Sequence, residues 1–416
     1  MRIIQIGLLF FLLLTILVFL NISENSAIIG VSVYGSIAIT YILFKLIAST
    51  WYRPFTGPAP SGLSVAAIIP VHNEDPELFR DSLESVLTQS RNIDEIWVID
   101  DGSEYLDCYR IAKKRLKDHP NAHVIRMPEN QGKRHAQAEA FGQSEADIFL
   151  TCDSDTVLDY NAVAEGLKPF SDPTIKVVTS NVRALNREDN LLTRLIDLRY
   201  QNAFQHERSA YSVFGSVLCA TGVLSFYRGE IIRRNLQHYL NQYFLGAKVM
   251  AGDDRRLTNF SLQQGKSVIQ LTSKAHTAVP RTISRFLRQQ IRWNQSFFRE
   301  SLFVLRNFSP RHAAWWLTLS EMGLWLIFGL IILLALIVAP IAGGKLLSVY
   351  YLAYLSLMAY IRNIQTVLEQ KWVFLLTPVY ALVHIILLIP LRFYSLLTIR
   401  NTSWLTRQAK FLEPGN

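Results

Sequence analysis

The apolar residues of this chain are concentrated near its two ends, and that distribution limits what it can fold into more than any single motif does. Residues 3–20 carry no charged side chain, and the segment Ala27 to Leu46 carries only Lys45. Each is long enough to cross the ~30 Å hydrocarbon layer of a membrane as a helix. A cleaved secretory leader is the competing reading of the first run, but no small-x-small cleavage site follows it and a second apolar run comes at once. Toward the other end, apolar runs cover 317–339, 346–361 and 372–391, the last containing Pro378 and Pro390.

Charge gives these runs a direction. The turn from Asn21 to Ser26 holds Glu24 and no Lys or Arg, whereas Arg2 precedes it and Lys45 and Arg53 follow. By the positive-inside rule residues 1–53 form a hairpin pointing outward, and the middle of the chain is cytosolic. Arg392, Arg400, Arg407 and Lys410 put the C-terminal end inside too. Three full crossings would contradict that, so the Pro-interrupted third run is expected to be re-entrant or two-piece, with its backbone buried in protein. The organisation is then a multi-pass protein of the cell membrane. It comprises a hairpin (1–53), a cytosolic domain (54–280), an interfacial segment (281–312), membrane or re-entrant helices (313–399) and a cytosolic tail (400–416).

The middle stretch has ordinary globular composition and is long enough to bury a core of its own. Charged residues make up 18% of the whole chain, against about 25% in soluble domains, and the deficit falls in the end segments. Cys108, Cys152 and Cys219 lie far apart with no Cys-x-x-Cys and no His pair at metal spacing, which argues against a disulfide framework or a zinc site. No nucleic-acid motif is present and no obligatory protein partner is implied.

Within the middle, Val65 to Pro70, Glu95 to Asp101, His123 to Met127, Asp147 to Cys152 and Lys176 to Ser180 are short apolar or β-branched runs. Helix-like stretches separate them, notably Pro76 to Ser90, Asp107 to Lys117 and Lys133 to Gly142. Alternating strands and helices predict an α/β, Rossmann-like domain with a mostly parallel sheet covered on both faces. Ligands bind such sheets at the carboxyl ends of the strands. Those ends are polar here: Pro70-Val71-His72-Asn73-Glu74, Asp100-Asp101-Gly102-Ser103 and Asp153-Ser154-Asp155. There is no glycine-rich dinucleotide or P-loop fingerprint.

Asp153 and Asp155 stand at i and i+2 of an extended segment, so their carboxylates point the same way beyond a strand end. Convergent carboxylates suit a hard divalent cation, Mg²⁺ or Mn²⁺, which commonly bridges to substrate phosphates. In Gly252-Asp253-Asp254-Arg255 two adjacent acids repel unless one is paired; Arg255 or Arg256 is the expected partner, leaving the other acid to accept a proton. Helix capping by Asp253 or Asp254 is the structural alternative. In Gln289-Gln290-Ile291-Arg292-Trp293 a guanidinium suited to diphosphate sits beside an aromatic ring suited to a sugar face. Arg281, Arg285, Arg288, Arg292, Arg299 and Arg306 recur at spacings that keep them on one side of a helix. That stripe can lie on anionic lipid headgroups or face a polyanionic ligand, and is expected to divide between the two.

In this order the motifs resemble those of the processive family-2 glycosyltransferases with a GT-A fold. Over nearly the whole chain they are most similar to the bacterial single-polypeptide hyaluronan synthases. Gly132-Lys133-Arg134-His135-Ala136-Gln137-Ala138, Asn190-Leu191-Leu192-Thr193-Arg194-Leu195, Gly252-Asp253-Asp254-Arg255 and Arg292 to Glu300 carry the likeness. The resemblance implies a cytosolic GT-A domain inserted between transmembrane helices that form a polymer exit channel.

It also implies substrates and roles. UDP-N-acetylglucosamine and UDP-glucuronate would be added alternately to a growing polysaccharide; a polymerase using UDP-N-acetylglucosamine alone is the alternative. Val71 and Glu74 would lie near the uracil and Asp100 and Asp101 would hold the uridine. Lys133 and Arg134 would face the diphosphate or donor sugar, and Asp153 and Asp155 would bind UDP and the metal. Asp254 would be the general base, Gln289 and Arg292 would meet the donor, and Trp293 the acceptor. Cys219 and Gly222, in a loop matching the family's priming loop, would line the acceptor. Where relatives carry Trp-Gly-Thr-Arg on a loop closing over the nucleotide, this chain has Trp404-Leu405-Thr406-Arg407. Leu405 gives up glycine's access to positive φ, while Trp404, Thr406 and Arg407 keep their expected diphosphate contacts.

Overall fold

The computed structural model describes residues 26–333, 336–337, 339–341, 345–363 and 371–401. The first apolar run and the Trp404 segment, with the expected contacts of Trp404, Thr406 and Arg407, lie outside the described residues.

The strands are β1 (Val65–Val71), β2 (Glu95–Asp100), β3 (Ala122–Arg126), β4 (Ile148–Cys152), β5 (Thr156–Leu158), β6 (Ile175–Ala184), β7 (Leu224–Arg228), β8 (Tyr243–Phe244), β9 (Ala247–Lys248) and β10 (Lys266–Thr277). Numbering only the longer helices, α1 is Ser26–Trp51, α2 Pro76–Leu87, α3 Asp107–Arg115, α4 Lys133–Gln143, α5 Leu191–Asn202 and α6 Asp253–Leu262. Beyond the sheet follow α7 (Ile283–Asn307), α8 (Ala313–Leu333), α9 (Lys345–Arg362) and α10 (Ile389–Leu397).

All five expected strands form, within a residue or two except β6, which runs on to Ala184. They belong to an eight-stranded sheet ordered β3-β2-β1-β4-β7-β6-β10-β5. The β3-β2-β1-β4 half is parallel, as is β6 with β10, whereas β7 runs antiparallel to both β4 and β6. All seven residues of β1 are buried, as a parallel strand covered on both faces requires. Its side chains alternate: Val65, Ala67, Ile69 and Val71 pack with Phe79 and Leu83 of α2, and Ala66 and Ile68 with Ala136 and Phe141 of α4. Asp75 starts α2 by accepting the amides of Glu77 and Leu78 at 2.9 and 3.0 Å, and Pro76 suits its first turn.

The β1–β2 and β4 ends therefore come to rest on one edge of the sheet. Over that edge lies α7, amphipathic, with Thr282 accepting the Arg285 amide at 3.4 Å at its start. It packs on α10, where Gln295 Nε2 donates to Thr398 O at 2.9 Å and Arg299 Nη1 to Ile399 O at 3.0 Å.

Among the described residues two helical stretches, Ala313–Ile332 and Thr377–Leu397, are long and apolar enough to cross a membrane. Gly35–Trp51 within α1 is a shorter apolar stretch. The Pro-interrupted third run is in two pieces: a short helix, Lys371–Leu375, and a helical stretch of 21 residues, Thr377–Leu397, with a π-helical turn at His384–Leu388. Pro378 falls in the first turn of the second piece, where no amide is lost, and Pro390 comes just after the π-helical turn.

Candidate active site

The first two strand ends are knitted together by buried carboxylates. Asp101 N donates to Val71 O at 2.8 Å, and Ser103 N to Asp100 Oδ1 at 3.0 Å. Asp100 Oδ2 lies 3.3 Å from Arg126 Nε. Asp101 accepts the amides of Gln131 and Gly132 at 2.8 and 2.9 Å. Burial raises the Asp101 pKa, and those two amides oppose the rise. Gly102, at φ +61°, has no room for a Cβ against the Glu129–Asn130 backbone, so this closure of loop on loop needs glycine there. A small cleft remains between Pro70, Val71, His72, Asp101, Asn130, Gly132, Lys133 and Asp153. Of the residues expected near the uridine, Val71 and Asp101 line this cleft. Glu74 lines the larger cavity beside it, its Oε2 accepting from Ser154 Oγ at 2.8 Å. Asp100 lines neither and serves the loop.

At the end of β4, Asp153 and Asp155 both face that larger cavity. Asp155 Oδ1 accepts from Thr277 Oγ1 at 3.2 Å. The Asp153 carboxylate is held by Lys133 Nζ, which also lies 3.4 Å from Asp253 Oδ2. Burial works to lower the Lys133 pKa, but Asp153 and Asp253 outweigh it and hold the ammonium above its ordinary value. Among the described residues no group of three or more His, Cys, Asp and Glu is placed to enclose a metal by itself. The two all-oxygen donors fit Mg²⁺ or Mn²⁺, which are commonly held by one or two carboxylates with substrate phosphates and water completing the shell.

The acid pair opens α6. Gly252 sits at φ +96° with its Cα against Ser296 of α7, a position closed to any side chain. This fixes the two carboxylates at a helix N-terminus, where the dipole favours negative charge. Their expected partners are corrected: Arg256 Nη2 donates to Glu300 at 2.9 Å, and Arg255 lies over the Phe297 ring at 5.4 Å. Lys133 instead neutralises Asp253. Burial raises the Asp253 pKa less than Lys133 and Arg134 lower it, and it stays ionised. Burial, then the charge of Asp253, pushes the Asp254 pKa up. One acid of the pair is thus paired and the other poised to accept a proton. Cys219 Sγ stands 3.5 Å from Asp254 Oδ2, and burial followed by that carboxylate pushes its thiol up to about 12. A thiol at that value is not a nucleophile, in keeping with a lining role.

Gln289, Arg292 and Trp293 face the cavity from α7. The Gln289 Oε1 is buried without a protein partner, an acceptor left for a ligand or water. The arginine stripe is divided between cavity, interior and surface. Arg281, Arg285, Arg288 and Arg292 line the cavity, Arg299 is buried on Ile399, and Arg306 is exposed. Arg134 is a correction: its guanidinium turns away from the diphosphate side and donates to Tyr239 O at 2.8 Å and Gln242 Oε1 at 2.7 Å. It packs over the Tyr239 ring at 4.7 Å, because the side chain next to Lys133 on α4 points into the domain.

The cavity has a volume of about 1450 Å³ and does not end at Trp293. It continues past Arg199, Glu207 and Arg362 to Tyr41 and Lys45 of α1, Trp325 and Phe328 of α8, Leu355 and Met358 of α9, and Arg392 of α10. At this junction Glu207 is paired with both Arg199 and Arg362, and Lys45 Nζ lies 3.0 Å from Glu321. Sequence reasoning missed this polar collar, although Lys45, Glu321 and Arg362 are charges within or beside apolar runs, which is the available signal. It also missed Glu300, which accepts from Gln242, Arg256 and Asn259 at 2.7, 2.9 and 2.8 Å.

Residues 66–236 match the family model "Glycosyl transferase family 2". A hyaluronan synthase of Streptococcus pyogenes is 42% identical over 413 residues, covering 96% of both chains. An N-acetylglucosaminyltransferase of Rhizobium sp. (strain N33) is 31% identical over 94% of this chain and 89% of its own length. Among solved structures, a mannosyltransferase of Pyrobaculum calidifontis, in complex with GDP-mannose and Mn²⁺, superposes with a TM-score of 0.61. It is 19% identical and covers 87% of this chain and 98% of that one, a likeness of fold.

Proposed function

Because the chain belongs to the hyaluronan synthases of glycosyl transferase family 2, we propose that it builds a polymer of alternating N-acetylglucosamine and glucuronate from UDP-sugars. The polymer would pass between its membrane helices as it grows. The observation that carries this reading is one continuous cavity reaching from the strand-end carboxylates, past Asp254 and Trp293, to side chains of α1, α8, α9 and α10. A cavity of that extent supports a path by which product leaves. The α1, α8, α9 and 377–397 helices would lie in the cell membrane as a multi-pass bundle. The sheet domain would lie on the cytosolic side, with outward-facing arginines such as Arg306 near anionic headgroups.

In this reading Val71, Glu74, Asp100 and Asp101 shape the uridine site, Asp101 from within and Asp100 through the loop it closes. Lys133, Gln289 and Arg292 receive the diphosphate, aided by Trp404, Thr406 and Arg407, and Trp293 stacks on the acceptor sugar beside Cys219 and Gly222. Mg²⁺ or Mn²⁺ on Asp153 and Asp155 would neutralise charge on the leaving diphosphate. Asp254 takes the proton of the acceptor hydroxyl as that oxygen attacks the anomeric carbon from the face opposite the diphosphate, inverting its configuration. Base and guanidinium then stabilise opposite ends of one transition state.

Product formation by the purified protein in lipid, with Mg²⁺ or Mn²⁺ and each donor alone or both together, tests the reading. A long, hyaluronidase-sensitive product only with both donors supports it. Polymer from UDP-N-acetylglucosamine alone would replace it with the single-donor polymerase.

The electrostatics of the acid pair add a pH prediction. A base works only when deprotonated, and Asp254 has a raised pKa, so kcat is lost as pH falls through a value above the ordinary carboxylate range. Asp253 is one cause of that rise. Asp253→Asn should therefore move the acid limb of the kcat profile to lower pH, and a limb that stays in place or moves up would contradict it.

A further inference from the structure

The ammonium of Lys133 stands where a small cation would stand. It contacts Asp153, the carboxylate assigned to the metal, and lies 3.4 Å from Asp253 Oδ2 on the opposite wall. The third wall is Gly222, where an added Cβ would come within 2.8 Å of Nζ. The ammonium is thus enclosed by two acids and a loop that leaves it just enough room. Its backbone is anchored at the first turn of α4, but its four-carbon stem can swing, and an ammonium is a point charge that can change partners without the geometric demands of a guanidinium.

We propose that Lys133 is a displaceable counter-ion of the empty site, holding Asp153 until a nucleoside diphosphate draws it away, so that divalent cation and nucleotide bind as a mutually dependent pair. The proposal rests on the reading of this cavity as the UDP-sugar site. A divalent cation arriving alone meets a carboxylate already neutralised and a positive charge at contact distance, and both weaken its binding. A diphosphate offers Lys133 a partner of higher negative charge. The ammonium moves to it, Asp153 is released, and the cation enters between carboxylate and phosphate oxygens. Linkage makes the effect reciprocal: the cation strengthens nucleotide binding by the same factor. When UDP leaves, Lys133 returns to Asp153 and the cation loses its ligand, so each cycle clears the site for the next donor.

The test is Mn²⁺ titration of the full chain in lipid nanodiscs, with bound metal read by electron paramagnetic resonance, in the absence and presence of UDP. For the unaltered protein UDP should raise Mn²⁺ affinity by a factor of about 5–150, the usual range of coupling between sites. Lys133→Met, which keeps the length and removes the charge, should bind Mn²⁺ more tightly than the unaltered protein when no nucleotide is present, and the further gain from UDP should be smaller than in the unaltered protein, the phosphate oxygens still serving as ligands. Lys133→Arg should keep the metal-alone affinity low. A structural role alone would not raise metal affinity, so Lys133→Met binding Mn²⁺ alone no better than the unaltered protein overturns the proposal. If Lys133→Met does not fold, Gly222→Ala, whose methyl would press Nζ off Asp153, should give the same gain, and its failure to do so counts against the proposal. Calorimetry with UDP on the unaltered protein separates the two ideas. Absence of UDP binding would defeat the donor-site reading, while the metal-alone comparison still decides the role of Lys133.

Discussion

Asp254→Asn is expected to lower polymer formation by a factor of about 10²–10⁴, the usual contribution of a positioned general base, while UDP still binds. The amide is nearly the same size as the carboxylate and can still accept the Arg255 amide hydrogen that Oδ1 takes at 2.8 Å. The start of α6 should therefore keep its shape. What is lost is the capacity to take a proton, at the one acid of the pair whose pKa burial and Asp253 raise despite Arg255 and Lys133. In the proposed site UDP is held by groups across the cavity, chiefly Asp101, Lys133 and Asp153, and its binding should be unchanged in calorimetry. Loss of turnover and of UDP binding together would mean that Asp254 serves the nucleotide or the fold, and the base assignment would fail.

The largest effect on stability is expected at Glu300. It is buried, and its two oxygens collect three donors from two separate segments: Gln242 beside the β8–β9 ribbon, and Arg256 and Asn259 on α6. Gln242 in turn accepts from Arg134 of α4. Through this chain α4 and α6, which bring Lys133 and the acid pair, are joined to α7, which carries Arg292 and Trp293. Glu300→Ala leaves the Arg256 guanidinium without its carboxylate in a buried place. Breaking such a pair on one side costs about 3–5 kcal/mol, a fall of roughly 10 °C in the thermal midpoint. Activity should fall as well, because α6 with the proposed base and α7 with the proposed diphosphate contacts lose their common anchor. A midpoint within a degree of the unaltered protein would show that the cluster does not hold the site together.

The two corrections at the site have different origins, the helical period and a competing buried carboxylate. Arg134 and Lys133 are neighbours in a motif, and the sequence treats them alike, but on a helix adjacent residues point about 100° apart. Lys133 reaches the acids while Arg134 is driven inward onto Tyr239. Arg255, one residue from Asp254 and two from Asp253, does not face either acid across the helix. Arg256 stands three residues from Asp253, a spacing that would allow pairing, but its guanidinium is taken by the buried Glu300 carboxylate. The partner of Asp253 came from α4 instead.

By itself the sequence determined the apolar ends, the strands of the parallel half with their polar carboxyl ends, the paired acids at Asp153 and Asp155, and the acid pair at the head of α6. These depend on local periodicity, on the alternation of side chains along a strand and on chemistry carried by adjacent residues. Tertiary structure alone decided that Lys133 bridges Asp153 and Asp253, that Glu300 ties Gln242 and α6 to α7, that residues 377–397 form a continuous helical stretch and that one cavity runs from the strand-end carboxylates to the apolar helices. Each is a contact or a void between segments distant along the chain. Its existence depends on which side chains the sheet and helices bring face to face, and no short-range pattern records that.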